Sequence, residues 1–240
     1  MKDPSGSQSR QHRVAIMQPY FFPYAGYFRL FAQADEFILL DCVQFPRTGR
    51  VHRSEVARLG RPTDWLTLPL ARQPREILIS ELAFAEDARR EFDTRLTALP
   101  WIRTARGPAA DRLRDYLHGP MESVVDFLQR GLEVVCSELG LHTPITRSSG
   151  LGIPPELRAQ DRILAIARAR GAQCYLNAPG GRALYDAAAF RMAGIQLEFL
   201  DDYAGQFTHL LPALMQRDPL EIGLALLAPS VASPHAEPRQ

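Results

Sequence analysis

Short apolar runs alternating with amphipathic stretches predict an α/β protein: a single domain with a mostly parallel, Rossmann-like central sheet flanked by helices. Two observations carry this expectation. Residues 14–17 (VAIM), 37–40 (FILL) and 174–176 (CYL) are nearly all apolar but too short for helices, which is how strands buried on both faces read. The intervening segments repeat apolar residues at helical spacing, and several end at a glycine.

Taken in order, residues 14–17 form a first strand, and 24–34 a helix whose apolar side holds Tyr24, Tyr27, Phe28 and Phe31. Residues 37–40 form a second strand closed by Asp41. Residues 65–70 (WLTLPL) and 77–82 (ILISEL) alternate like half-buried strands. Helices follow over about 85–98, 108–117 and 120–139, the last stopped by Gly140. A short strand at 144–146 precedes a helix over 158–170 that ends at Gly171. A strand at 174–176, a helix over 182–192 and a strand over 195–200 complete the pattern. Residues 1–12 and 229–240 are rich in Pro, Ser and charge, so both are expected to be disordered tails around one domain over 13–228.

Composition sets the outer limits. Lys and Arg number 28 against 27 Asp and Glu, so the basic excess of a nucleic-acid binder is missing. No apolar run reaches the roughly 20 residues of a membrane span, and the opening MKDPSGSQSRQHR has no apolar signal core. Cys42, Cys136 and Cys174 are odd in number and far apart, which suits reduced thiols in a cytoplasmic protein and gives no metal-binding spacing. Walker, GxGxxG, GxSxG and HExxH patterns are all missing from the sequence.

In parallel α/β sheets ligands bind beyond the carboxyl ends of strands, so the loops there hold the candidate site. The first loop, QPYFFPYAGYF (18–28), packs six aromatics into eleven residues. It reads either as a plug holding the helix to the sheet, or as a rigid pocket in which Gln18, Tyr20, Tyr24 and Tyr27 meet a ligand and helix-start amides hold an anion. The second loop, DCVQFPRTGRVHR (41–53), begins with Asp41, a catalytic carboxylate or a turn cap. It continues with Gln44, Arg47, Arg50, His52 and Arg53. Arginine forks in one loop suit a phosphate or carboxylate, and His52 is a candidate base. Ser148 and Ser149 follow the strand at 144–146, while Asn177, Gly180, Gly181 and Tyr185 form a cradle after the strand at 174–176.

Together AIMQPYFFPYAGYFRLF (15–31), ADEFILLDCVQFPRTGRVHR (34–53), WLTLPL (65–70), RSSGL (147–151), YLNAPGGRALYD (175–186) and GIQLEFL (194–200) resemble the WbqC-like protein family. The resemblance spans nearly the whole chain between the tails, and its QPxxFPxxGYF opening is highly specific. It departs from the family where Arg50-Val51-His52-Arg53-Ser54 replaces a Trp-containing stretch, and again over residues 210–227. The resemblance implies a biosynthetic, amide-forming acyl or aminoacyl (glycyl-type) transferase. Its acceptor would be an amino sugar or similar small amine, in O-antigen, polysaccharide or specialised-metabolite synthesis. On that reading Asp41 or His52 takes the amine proton, Gln18 and Asn177 orient carbonyls, and Arg47 and Arg53 hold a phosphate. A thioester of coenzyme A or of a carrier protein could serve as the donor, and the sequence does not choose between them. Two other functions fit the same residues: an adenylate-forming or nucleotidyl-transfer enzyme, and a non-catalytic subunit that binds a partner through the aromatic loop.

Overall fold

The computed structural model describes residues 11–58 and 61–227. Most of both expected tails, residues 1–10 and 229–240, therefore lies outside the described residues. His12 already extends the pairing of β1 at its amino end, since its carbonyl accepts from the Gln173 N–H at 2.9 Å.

Five strands make the central sheet: β1 (Arg13–Met17), β2 (Glu36–Leu39), β5 (Ile145–Arg147), β6 (Cys174–Asn177) and β7 (Gln196–Phe199). Their order across the sheet is β5-β2-β1-β6-β7, and every pairing is parallel. The chain starts at the centre, winds outward to β5, then returns to the other side of β1 to add β6 and β7. The topological switch point therefore lies between β1 and β6.

The strands read as unbroken apolar runs because both faces are covered. Val14, Ile16, Ile38 and Tyr175 face α6 (Ala159–Ala169) and α7 (Ala187–Met192), in a layer with Ile163, Ile166 and Phe190. Ala15, Phe37, Leu39 and Leu176 face the larger core around α1 (Ala25–Gln33). Phe31 and Phe37 stack there, with centroids 3.9 Å apart.

The connection from β2 to β5 carries an antiparallel hairpin, β3 (Arg53–Arg58) and β4 (Arg61–Thr67), then α2 (Ala88–Thr97), α3 (Pro100–Thr104), α4 (Pro108–Leu117) and α5 (Val124–Glu138). After β7 the described residues continue into α8 (Leu210–Gln216) and α9 (Pro219–Leu227). No helix among the described residues is long and apolar enough to cross a membrane.

Two expectations are corrected. Residues 77–82 are not a strand: Ile79–Glu81 is a 3₁₀ turn closed by the Glu81 carboxylate, which accepts from the Leu78 N–H at 3.1 Å. Segment 182–192 is helical only from Ala187, where the Asp186 side chain caps the Ala188 N–H at 2.8 Å.

Candidate functional site

The strand order brings four of the sequence-predicted loops to one edge. Along the carboxyl ends run Ser148 and Ser149 after β5, Asp41 after β2, Gln18 after β1 and Asn177 at the end of β6. The Leu40 N–H donates to the Met17 carbonyl, so the β1 and β2 ends stay paired up to the two loops.

Asp41 is 1% exposed, and both carboxylate oxygens are held by the serines. Oδ1 accepts from Ser148 Oγ at 2.9 Å and from the Ser149 N–H at 2.8 Å, while Oδ2 accepts from Ser149 Oγ at 2.6 Å. Ser148 Oγ in turn accepts from the Asp41 and Cys42 N–H groups. Buried and fully bonded, Ser148 holds the end of β2 in place and does not face solvent. Ser149 is exposed, with its hydroxyl proton on Asp41 and its lone pairs directed away from that bond. The two serines and Asp41 thus form one unit, with Ser149 as its outward face.

The aromatic loop divides in the same way. Tyr27 is buried and donates its hydroxyl to the Gln18 carbonyl at 2.8 Å; burial pushes its phenol well above the usual range, so it stays neutral. Phe21 and Phe22 lie in the core. Tyr20 and Tyr24 are half-buried, their phenols raised by desolvation, partly offset by the Arg50 guanidinium at Tyr20 and by Arg29 and then Arg50 at Tyr24. The Gln18 carboxamide makes no hydrogen bond with a described residue.

The start of α1 is not open to an anion, which is the packing reading of this loop rather than the anion-holding one. The Ala25 N–H donates to the Phe207 carbonyl at 3.2 Å, and Tyr24 and Tyr203 close over Gly26. A Cβ on Gly26 would come within 2.3 Å of Tyr24 and 2.7 Å of Tyr203. Tyr203 lies far down the chain in a segment without a motif, and sequence reasoning missed it.

Across the switch point, Asn177 Oδ1 accepts from the Ala178 N–H at 2.8 Å. Its Nδ2 makes no hydrogen bond with a described residue and lies over Gly181, where a Cβ would come within 2.2 Å. Gly181 is therefore required by close approach, whereas Gly180 is exposed with nothing near. Tyr185 stands behind this turn, its hydroxyl 3.5 Å from that of buried Tyr175.

The second loop leaves the edge after Asp41 and joins the hairpin. Gln44 donates to the Arg75 carbonyl at 2.9 Å, and Arg47 donates to the Gln73 and Pro74 carbonyls at 2.6 and 2.9 Å. Arg53 donates to the Thr48 and Gly49 carbonyls and lies 4.3 Å over the Trp65 ring. Arg50 flanks the same ring at 5.4 Å and pairs with Glu55 at 3.0 Å. Of the loop's arginines, Arg50 alone interacts with the aromatic loop, and sequence reasoning gave it no separate role.

His52 packs edge-on against Phe45 and makes no hydrogen bond to a described carboxylate. Burial, then the Arg53 and Arg95 charges, lower its pKa, so the imidazole is neutral at neutral pH. No His52–Asp41 pair exists, and the two candidate bases occupy different places.

The chain matches the "Uncharacterized protein Rv1507c" of Mycobacterium tuberculosis, 25% identical over 196 residues, which cover 79% of this chain and 82% of that protein. No solved structure matches it. The model of the WbqC-like protein family matches residues 18–211, from the glutamine that follows β1 to the start of α8. By that match, which takes in all four loops of the sheet edge, the chain belongs to the WbqC-like protein family.

Proposed function

We propose that the chain is an amide-forming acyl or aminoacyl transferase, with a small amine such as an amino sugar as acceptor and a coenzyme A or carrier-protein thioester as donor. The observation that carries this reading is the composition of the sheet edge. Two carboxamides with uncommitted N–H groups, Gln18 and Asn177, flank the switch point, and further along the same edge, after β5, an exposed hydroxyl, Ser149, is bonded to a buried carboxylate. Aminolysis of a thioester needs carbonyl orientation, oxyanion donors and a proton acceptor, and these groups meet those needs.

In the proposed step the amine nitrogen attacks the thioester carbonyl, and the new oxyanion accepts from Gln18 and Asn177. The amine proton moves to Ser149 Oγ as Ser149 passes its own to Asp41, the carbon–sulfur bond breaks, and the thiolate leaves. Tyr20 and Tyr24, neutral and half-buried, wall the acceptor side. Such chemistry belongs in the cytoplasm, where thioester donors are made.

The adenylate-forming alternative draws support from the strand order, which is that of nucleotide-binding sheets. Against it stands the start of α1, where Phe207 and Tyr203 cover the place a phosphate takes in those folds. Incubation with acyl-coenzyme A or an acyl carrier protein and a panel of amino sugars, read by mass spectrometry, tests the proposal. An acceptor gaining one acyl mass supports it. ATP-dependent pyrophosphate exchange without acyl gain would replace it with the alternative.

A further inference from the structure

A cavity of about 350 Å³ opens between the end of β4, α2 and the loop around Phe45. Its lining includes none of Gln18, Asp41, Ser149 and Asn177. Its lining includes Arg47, Arg72 and Arg95, with Glu91 and His52, over a floor formed by Phe45 and Leu68. Three guanidinium groups against one carboxylate leave a net charge of +2 around one concave space, with His52 neutral.

The three arginines differ in how far the protein already uses them. Arg95 is bound to the Thr67 carbonyl and to Glu91. Arg47 commits only Nη2, to the Gln73 and Pro74 carbonyls. Arg72 is exposed and makes no hydrogen bond or ion pair with any described residue. Uncompensated like charges facing one cavity repel, and an apolar floor strengthens the field there. A dianion relieves that repulsion, and the planar forks suit phosphate oxygens.

We infer that this cavity binds a small phosphate monoester, with Arg72 as the principal ligand and Arg47 and Arg95 completing the cradle. Charge selects the dianion: a carboxylate would offset half of the excess. Size selects a small molecule, since the volume is at the lower end of the roughly 300–1,000 Å³ of ligand pockets. The apolar floor provides a surface for the ester's carbon body.

Isothermal titration of the full chain at low salt, with glucose 1-phosphate, methyl phosphate and glucose as probes, tests the assignment. Both phosphates should bind saturably, glucose should not, and the His52 ring resonances should shift with the phosphates. Arg72→Ala should weaken binding about tenfold or more, the loss expected for a charge-assisted hydrogen bond, with Arg72→Lys between the two. Because Arg72 has no internal partner, its variants retain the fold, which circular dichroism confirms. Arg168→Ala, at an exposed position on α6, should bind as the parent does. No saturable phosphate binding, or equal weakening by Arg168→Ala and Arg72→Ala, would overturn the inference. The measurement involves no reaction, so its failure leaves the acyl-transfer proposal standing, and failure of that proposal leaves this site standing.

Discussion

Ser149 Oγ lies 2.6 Å from Asp41 Oδ2, and that bond joins residues 108 positions apart in the sequence. It forms because β2 and β5 are neighbours in the sheet, pairing Leu39 with Arg147, so both chains leave the sheet at the same level. A carboxylate with 1% exposure gains a solvent-facing hydroxyl through this contact.

The two serines should therefore fail differently. Ser149→Ala should fold normally and lose about a hundredfold or more in acyl transfer, the scale of a lost proton acceptor. Ser148→Ala leaves the Cys42 N–H without an acceptor and removes a hydroxyl donor from the buried Asp41 carboxylate, which costs about 1–3 kcal/mol, or about 2–12 °C in Tm for a chain of this size. Parallel melting and activity measurements distinguish them, and equal melting temperatures for the two variants would refute the assignment.

The paired glycines make a second contrast. Gly181→Ala must displace Asn177 Nδ2, which stands 2.2 Å from the new methyl group, whereas Gly180→Ala meets nothing within 4 Å. Gly181→Ala should depress kcat/KM by tenfold or more while Gly180→Ala stays within about twofold, consistent with the sensitivity of catalysis to small misplacements.

Arg53→Lys should act on stability. Its guanidinium bridges the Thr48 and Gly49 carbonyls and stacks on Trp65, and a lysine keeps the charge without the fork. A loss of about 0.5–1.5 kcal/mol, or about 1–6 °C in Tm, with a change in tryptophan fluorescence and normal activity of the folded fraction, is expected. Lost activity at an unchanged Tm would instead assign Arg53 to the substrate.

His52 should contribute to acid sensitivity. Its pKa is lowered in the folded protein by burial and by Arg53 and Arg95, with Arg47, Arg72 and Glu91 also lining its cavity. The unfolded chain thus binds the proton more readily, so stability is full above the unfolded pKa near 6.5 and falls as pH drops below it. The Tm of His52→Gln should fall less than that of the parent between pH 7 and 5, and parallel curves would refute this.

Much of the sheet was legible because burial on both faces leaves runs such as VAIM and FILL, apolar throughout and too short for helices. Hairpin strand β3 was not, since its inward positions are Ser54 and Val56, and Ser54 is buried only because its hydroxyl donates to the Phe22 carbonyl at 2.8 Å. Residues 77–82 alternate like a strand but have only an isolated bridge, Gln44 to Leu78, beside which the chain turns. At the edge, the loops holding Gln18, Asp41 and Asn177 could be read from their places after strands. That Asp41 is bonded to Ser149, and that Arg47 and Arg53 serve backbone carbonyls, depends on contacts no local pattern encodes.

The central position of β1 also constrains how the chain is made. β1 is the first strand to leave the ribosome, but its neighbour β6 is about 160 residues further on, and Phe207, which covers the start of α1, comes later still. At about 5–20 residues per second, one side of β1 waits roughly 8–30 s for its partner. During that interval an apolar strand with an open edge is exposed to any other nascent chain. Slower translation of the segment between β2 and β6 should therefore lower the soluble yield of this protein, even though its mature form would be unchanged.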